Sequence, residues 1–267
     1  MLKEDYGDFW KLKLNDDGVL ICTMSDPEKR NSIHHPRANL FADICDDVAY
    51  DGRVRAVVVT GQGKAFCAGG NLDSFLQGDG VVGAALSPAI HRVWTRIIDL
   101  PPPLIMAING DAIGVGSTLA LMGDIILAAE HARIGDPHVP LGILASSNNS
   151  LFPAAMSIYR AKEWLLTGDL MNAQEARENG LFNRIYPADI LMDEALKLAT
   201  RLAKQPKDAT QLNKRVLNRI VADNMNWLRD TGLGYEAYTA GTQEHKDAVR
   251  AKIEMIQAKK AARASKS

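Results

Sequence analysis

Two glycine-bounded bends and one histidine carry the chemistry open to this chain. Ala68-Gly69-Gly70 and Gly114-Val115-Gly116 each follow an apolar, strand-like run. Where a chain leaves a strand at glycine, backbone N–H groups lose their ladder partners and a ligand can approach them closely. If the two strands lie side by side, both bends open at the same end and two N–H donors converge on one carbonyl oxygen. Such an oxyanion hole stabilises charge that builds up on an acyl oxygen. The plain alternative is an ordinary strand-to-helix connection. His138 stands in Gly135-Asp136-Pro137-His138, in a loop that follows a third apolar run. Imidazole titrates near neutral pH, which suits proton transfer. The alternative is a histidine that bonds a carbonyl and holds its loop.

These groups need a scaffold that brings distant segments together. The 267 residues are 46% hydrophobic, enough for a large core in one domain or in one domain with an appendage. Residues 9–14 and 19–24, joined by Asn15-Asp16-Asp17-Gly18, predict a hairpin. Leu40, Phe41, Ile44 and Val48 mark one face of a helix that Asp51-Gly52 closes. Residues 55–60 (RAVVVT), 104–108 and 125–129 are apolar without alternation, as in strands covered on both faces. A helix over 88–98 ends at the three prolines 101–103. Strands alternating with helices predict parallel strands with helical crossovers. Residues 78–88, rich in Gly, Ala and Ser, read as a mobile surface segment. From Ser157 the chain turns helical, with Ala195, Leu198, Ala199 and Leu202, then Leu212, Val216, Leu217 and Ile220, at helix spacing. The expected division is a core over 1–199 and a helical region over 200–267 that packs on the core or on a neighbouring subunit.

Composition narrows the function. The 31 basic residues nearly balance 32 acidic ones, which argues against nucleic-acid binding by bulk charge. The basic end, 258–267, reads as a solvated tail, with a phosphate contact as the alternative. Cys22, Cys45 and Cys67 have neither CxxC nor zinc-type spacing, so a reducing, cytoplasmic setting is expected. The polar start MLKEDYGDFWK is unlike a signal peptide, and no apolar run reaches membrane-spanning length. Six scattered histidines give no metal signal. Gly61-Gln62-Gly63 lacks the third glycine of a dinucleotide fingerprint and is discounted.

The order FCAGGNL, AINGDAIGVGSTLALMGD, ARIGDPHVPLGI, LLTGDLMNAQEARENGLFNRI resembles the crotonase (enoyl-CoA hydratase/isomerase) superfamily from about residue 10 to 220. The resemblance implies an α/β spiral of ββα units with a C-terminal helical trimerisation region, assembled as a homotrimer or a dimer of trimers. It implies acyl-CoA substrates, with coenzyme A as part of the substrate and no separate cofactor. It puts the two N–H donors on Gly70 and Val115, and substrate contacts on Lys29, Arg30, Ala68, Leu72, Thr118 and Ser147. Lys29 and Arg30 then meet CoA phosphates, with ordinary surface charge as the alternative. Hydratases of this superfamily carry two glutamates where this chain has Thr118 and His138, which puts the two-glutamate addition of water in doubt. Thr118 can bond water, or back-bond within its helix.

The DPH stretch also resembles the β-diketone hydrolases typified by 6-oxocamphor hydrolase. There an aspartate nine residues after the histidine pairs with it; here that position is Ser147. His138 is thus expected to lack an orienting carboxylate, with Ser147 or Asn148 as substitutes. The same subset brings a late glutamate to the site, which makes Glu236 a further candidate against a solvated helix face. Three functions follow: an enzyme of the hydratase/isomerase type with His138 as acid or base, a carbon-carbon hydrolase, or an acyl-CoA-binding or assembly protein without chemistry.

Overall fold

The computed structural model describes residues 1–3, 5–70, 76 and 88–264. Six strands run side by side in the order β1 (Trp10–Leu14), β2 (Val19–Met24), β3 (Ala56–Gly61), β5 (Leu104–Ile108), β7 (Ile125–Ala129) and β10 (Arg184–Tyr186). A second sheet orders β4 (Ala65–Cys67), β6 (Asp111–Ile113), β8 (Arg133–Gly135) and β9 (Leu170–Asn172). The chain thus gives one strand to each sheet and then a helix. β3 and β4 precede α2 (Pro88–Ile98), β5 and β6 precede α3 (Val115–Leu121), and β7 and β8 precede α4 (Asn148–Ala155). This is a spiral of ββα units, with α1 (His35–Tyr50) after the opening hairpin.

The strand types follow from burial. Every residue of β3 and β5 is buried, so both faces select apolar side chains and the strands pair parallel. Burying each Val or Leu side chain there contributes about 1.5–3 kcal/mol. β1 has one covered face, alternates, and pairs antiparallel with β2. Asn109 turns the chain from one sheet into the other: its Oδ1 accepts the Gly61 N–H at 3.0 Å and its Nδ2 donates to the Gly63 carbonyl at 2.9 Å. An Asn-Gly pair in this place splices strand to strand instead of closing a hairpin.

The remaining helices are α5 (Ile158–Thr167), α6 (Ala173–Glu178), α7 (Leu191–Ala203), α8 (Lys207–Ala240) and α9 (Gln243–Ala264). α7 lays Ala195, Leu198 and Ala199 into the main core, against β3 and β5. The division expected at 199/200 therefore falls inside a helix packed on the sheet. The apolar face that suggested a change of character is the face α7 turns to the core. α8 is anchored to the start of β5 by buried Lys214, whose Nζ lies 2.7 Å from Asp124 and donates to the Pro102 carbonyl at 2.9 Å. Beyond that anchor α8 passes α4. Apart from Pro88, which opens α2, the stretch 78–88 lies outside the described residues.

Candidate active site

β4, β6 and β8 are neighbouring parallel strands, and each chemistry-bearing segment leaves the same end of one of them. Cys67 pairs with Ala112, so the 68–70 bend sits beside the chain entering the 114–116 bend. Ile113 pairs with Gly135, and the Gly114 N–H donates to the Gly135 carbonyl at 3.0 Å, which puts the Asp136–His138 turn on the other side. Neighbouring strands are about 4.8 Å apart, so the three segments are adjacent.

Two glycines make this approach possible. A Cβ on Gly116 would stand 2.2 Å from the Cys67 carbonyl oxygen, so only glycine lets α3 start against the end of β4. Gly114, the residue before α3, has φ 58° and ψ −118°, a conformation that side chains avoid. Val115 is then the first helical residue. Among the described residues, no backbone hydrogen bond takes up the N–H of Val115 or of Gly70.

His138 lies against the second bend, its Cε1 3.5 Å from where a Gly114 Cβ would be. Its ring Nδ1 bonds Asp136 Oδ1, which also accepts the His138 backbone N–H at 3.2 Å. The side chain of His138 is 21% exposed and that of Asp136 only 1%. The orienting carboxylate is therefore present, contrary to the expectation of a lone imidazole. It comes from two residues before the ring, and a tight Asx turn lets so near a neighbour reach it. Ser147 does not bond the ring; its carbonyl accepts the Ser150 hydroxyl at 2.6 Å. Asn148 acts on Asp136 instead, its Nδ2 donating to Asp136 Oδ2.

Burial opposes the charged imidazole, but the Asp136 charge, its hydrogen bond and the charge of Glu236 outweigh it, so His138 is held above its ordinary 6.5. Burial likewise opposes the Asp136 carboxylate, and the charge and N–H of His138 together with the Asn148 amide hold it below the usual range. Glu236 reaches the site from α8, accepting the Ser146 N–H at 3.3 Å and the Ser146 hydroxyl on Oε2. Gly232, one turn earlier, lets α8 lie on this loop: a Cβ there would stand 3.2 Å from Ser146 Cβ.

Other expected residues are placed as follows. Thr118 is buried and its hydroxyl contacts the Gly114 carbonyl at 3.3 Å and Asn148 Oδ1 at 3.2 Å. The Ala68 N–H donates to the Arg30 carbonyl at 3.0 Å, so the early loop runs along the first bend. The Arg30 guanidinium pairs with Asp111 at 2.6 Å, a carboxylate shared with Arg133. Lys29 is exposed, and Leu72 lies outside the described residues. Cys67 precedes the first bend, but burial pushes its thiol up to about 11, which leaves it unreactive at neutral pH. His245, which had no partner visible in sequence, is buried with Nδ1 2.6 Å from the Leu141 carbonyl, clamping α9 onto the turn after His138. A small apolar cavity, about 10 Å³, adjoins Val115 and Leu119 and is walled by Ile33, Phe41, Val93 and Trp94.

The Enoyl-CoA hydratase/isomerase family model matches residues 15–259. A Thermus thermophilus protein bearing an enoyl-CoA hydratase name is 35% identical over 229 residues, 80% of this chain and 90% of its own. The 1,2-epoxyphenylacetyl-CoA isomerase of Escherichia coli is 29% identical over 239 residues, 88% of this chain and 91% of its own. Among solved structures, an enoyl-CoA hydratase/isomerase from Mycobacterium paratuberculosis superposes with a TM-score of 0.84 at 29% identity, covering 91% of this chain and 97% of that one. The fold and the match define an acyl-CoA-type enzyme scaffold. The chain belongs to the enoyl-CoA hydratase/isomerase family.

Proposed function

We propose that this chain is an acyl-CoA enzyme that holds a thioester oxygen between the Gly70 and Val115 N–H groups while His138 moves a proton. The observation that carries the reading is the adjacency of β4, β6 and β8, which opens both bends and the histidine turn at one end of one sheet. In hydration, water adds hydroxyl to Cβ and a proton to Cα of an α,β-unsaturated thioester. Charge passes onto the thioester oxygen, where the two amides stabilise it. His138 Nε2 takes the proton from water and, as the imidazolium, delivers it to Cα, while the Glu236 carboxylate on the facing helix favours that charged ring. Isomerisation uses the same enolate without added water.

Substrate enters past Lys29, Arg30 and Ala68. Thr118 and Ser147 then border the site rather than replace the family's glutamates. A second reading, hydrolysis of a carbon-carbon bond next to a carbonyl, is favoured by the Asp136–His138 pair, since a carboxylate-backed imidazole activates water.

The test is a panel of enoyl-CoA thioesters and cyclic β-diketones, assayed with the wild type and His138→Gln. Turnover of thioesters that the substitution reduces at least tenfold supports the first reading; turnover of diketones alone supports the second. Tight CoA binding with no turnover supports an acyl-CoA-binding protein. The proposed assembly is a homotrimer or dimer of trimers. Leu212, Val216, Leu217 and Ile220 line one face of α8 at 58–70% exposure, an apolar stripe that suits burial by a second copy. Light scattering is expected to give three or six copies. The three buried thiols, all free, suit a reducing cytoplasm.

A further inference from the structure

Asn148 is 1% exposed and sits where three segments meet. A side-chain amide has two N–H protons to give. Here one goes to Asp136 Oδ2 and the other to Ser117 Oγ at 2.8 Å. Its Oδ1 accepts the Thr118 hydroxyl at 3.2 Å, and the Ser117 hydroxyl donates to the Gly114 carbonyl at 2.8 Å. The amide is therefore fully committed, and its orientation is forced by the carboxylate on one side and the hydroxyl on the other. One side chain ties the Asp136–His138 turn to the first turn of α3, whose opening residue is Val115.

The ring of His138 is equally constrained. Nδ1 faces Asp136 Oδ1 and Cε1 packs against Gly114, while among the described residues no hydrogen bond takes up Nε2. A carboxylate accepts only, so Nδ1 carries the proton and neutral His138 is the Nδ1–H tautomer. Were Asn148 removed, a nearly fully buried carboxylate would lose a donor and would favour protonation. Among the described residues, the charged groups facing the ring are Asp136 on its own turn and Glu236 from α8; α3, which also packs against it, brings no charged side chain.

We infer that Asp136 and Asn148 are positioning residues: Asp136 accepts the Nδ1–H hydrogen bond so that Nε2 meets substrate, and Asn148 pins Asp136 to the turn that carries the Val115 amide. The inference rests on the proposed role of His138, yet it has a readout that needs no substrate.

That readout is ¹⁵N NMR of the histidine rings, with His138 assigned by its loss in His138→Gln. In the wild type above the titration midpoint, His138 is expected as the Nδ1–H tautomer. Asp136→Asn is expected to lower the midpoint by about 1–3 pH units as the opposite charge is lost. With an accepted thioester substrate, Asn148→Ala should lower kcat roughly 10–100-fold, as loss of an orienting partner does, with KM little changed. An Nε2–H tautomer in the wild type would overturn the inference, and so would an unchanged midpoint in Asp136→Asn or a wild-type kcat in Asn148→Ala once near-ultraviolet circular dichroism shows each variant folded. If the NMR outcomes hold and no thioester is turned over, the catalytic reading fails while the positioning role stands.

Discussion

Val115→Pro isolates one backbone amide without rebuilding the helix. Proline at the first helical position is tolerated because that N–H has no intrahelical partner, and its fixed φ suits a helix start. The residue before proline must avoid the α region, and Gly114 does so at φ 58° and ψ −118°. Gly114 also keeps its own bond to Gly135, since only the Val115 N–H is deleted. Stability should therefore change by about 1 kcal/mol, the size of an ordinary substitution. Activity should change far more. Losing one donor to a developing oxyanion costs about 2.7–4 kcal/mol, a fall of roughly 10²–10³ in kcat. Val115→Ala is the control, because it trims the side chain beside the apolar cavity and keeps the N–H. Steady-state kinetics on an enoyl-CoA and thermal melting of the three proteins make the comparison. A folded Val115→Pro enzyme within about threefold of wild-type kcat, or a Val115→Ala enzyme equally impaired, would refute the assignment of this amide.

The other predictions concern charge. With His138 as the proposed base, kcat/KM should fall on acidification with a midpoint above 6.5, and that limb should vanish in His138→Gln. Glu236→Gln removes a charge that raises His138, so its pH-rate profile should move to lower pH. The same shifts govern stability. The raised His138 contribution is full below its unfolded value and is lost as pH rises through the folded one. The depressed Asp136 contribution is present above its unfolded value and is lost as pH falls through the folded one, so denaturant melts should show the pair stabilising most between those two limits. Lys214→Ala leaves Asp124 without its partner at the α8 anchor, which should cost about 3 kcal/mol and lower Tm by roughly 6–12 °C.

Much of the scaffold was legible because burial writes itself into residue type. The runs at 55–60, 104–108 and 125–129 are strands with every or nearly every position covered, and the absence of alternation marks them. The three-residue strands β4, β6 and β8 leave no such mark, since a period of two cannot show in three residues. Those strands set the register that brings the bends together, so from the residues alone the convergence was a condition, not a deduction. Gly114 and Gly116 were visible as glycines, but the close approach to Cys67 is a tertiary fact. Asp136 is the site residue that the sequence expectation lacks. The family pattern puts the carboxylate nine positions after His138, while here the partner lies two before it, and its signal is the Asx-turn propensity of Asp136 itself. Asn148 donates to Asp136 from twelve positions on, a relation that sequence spacing does not encode. His245 found its carbonyl across 104 positions, beyond any local rule.

The central claim is that two main-chain amides and one imidazole surround a single acyl group. A crystal structure of the protein with a bound acyl-CoA tests it most directly. The thioester oxygen should lie about 2.7–3.1 Å from both the Gly70 and Val115 nitrogens, with His138 Nε2 facing the Cα–Cβ bond. A thioester bound elsewhere, or held by neither amide, would contradict the account.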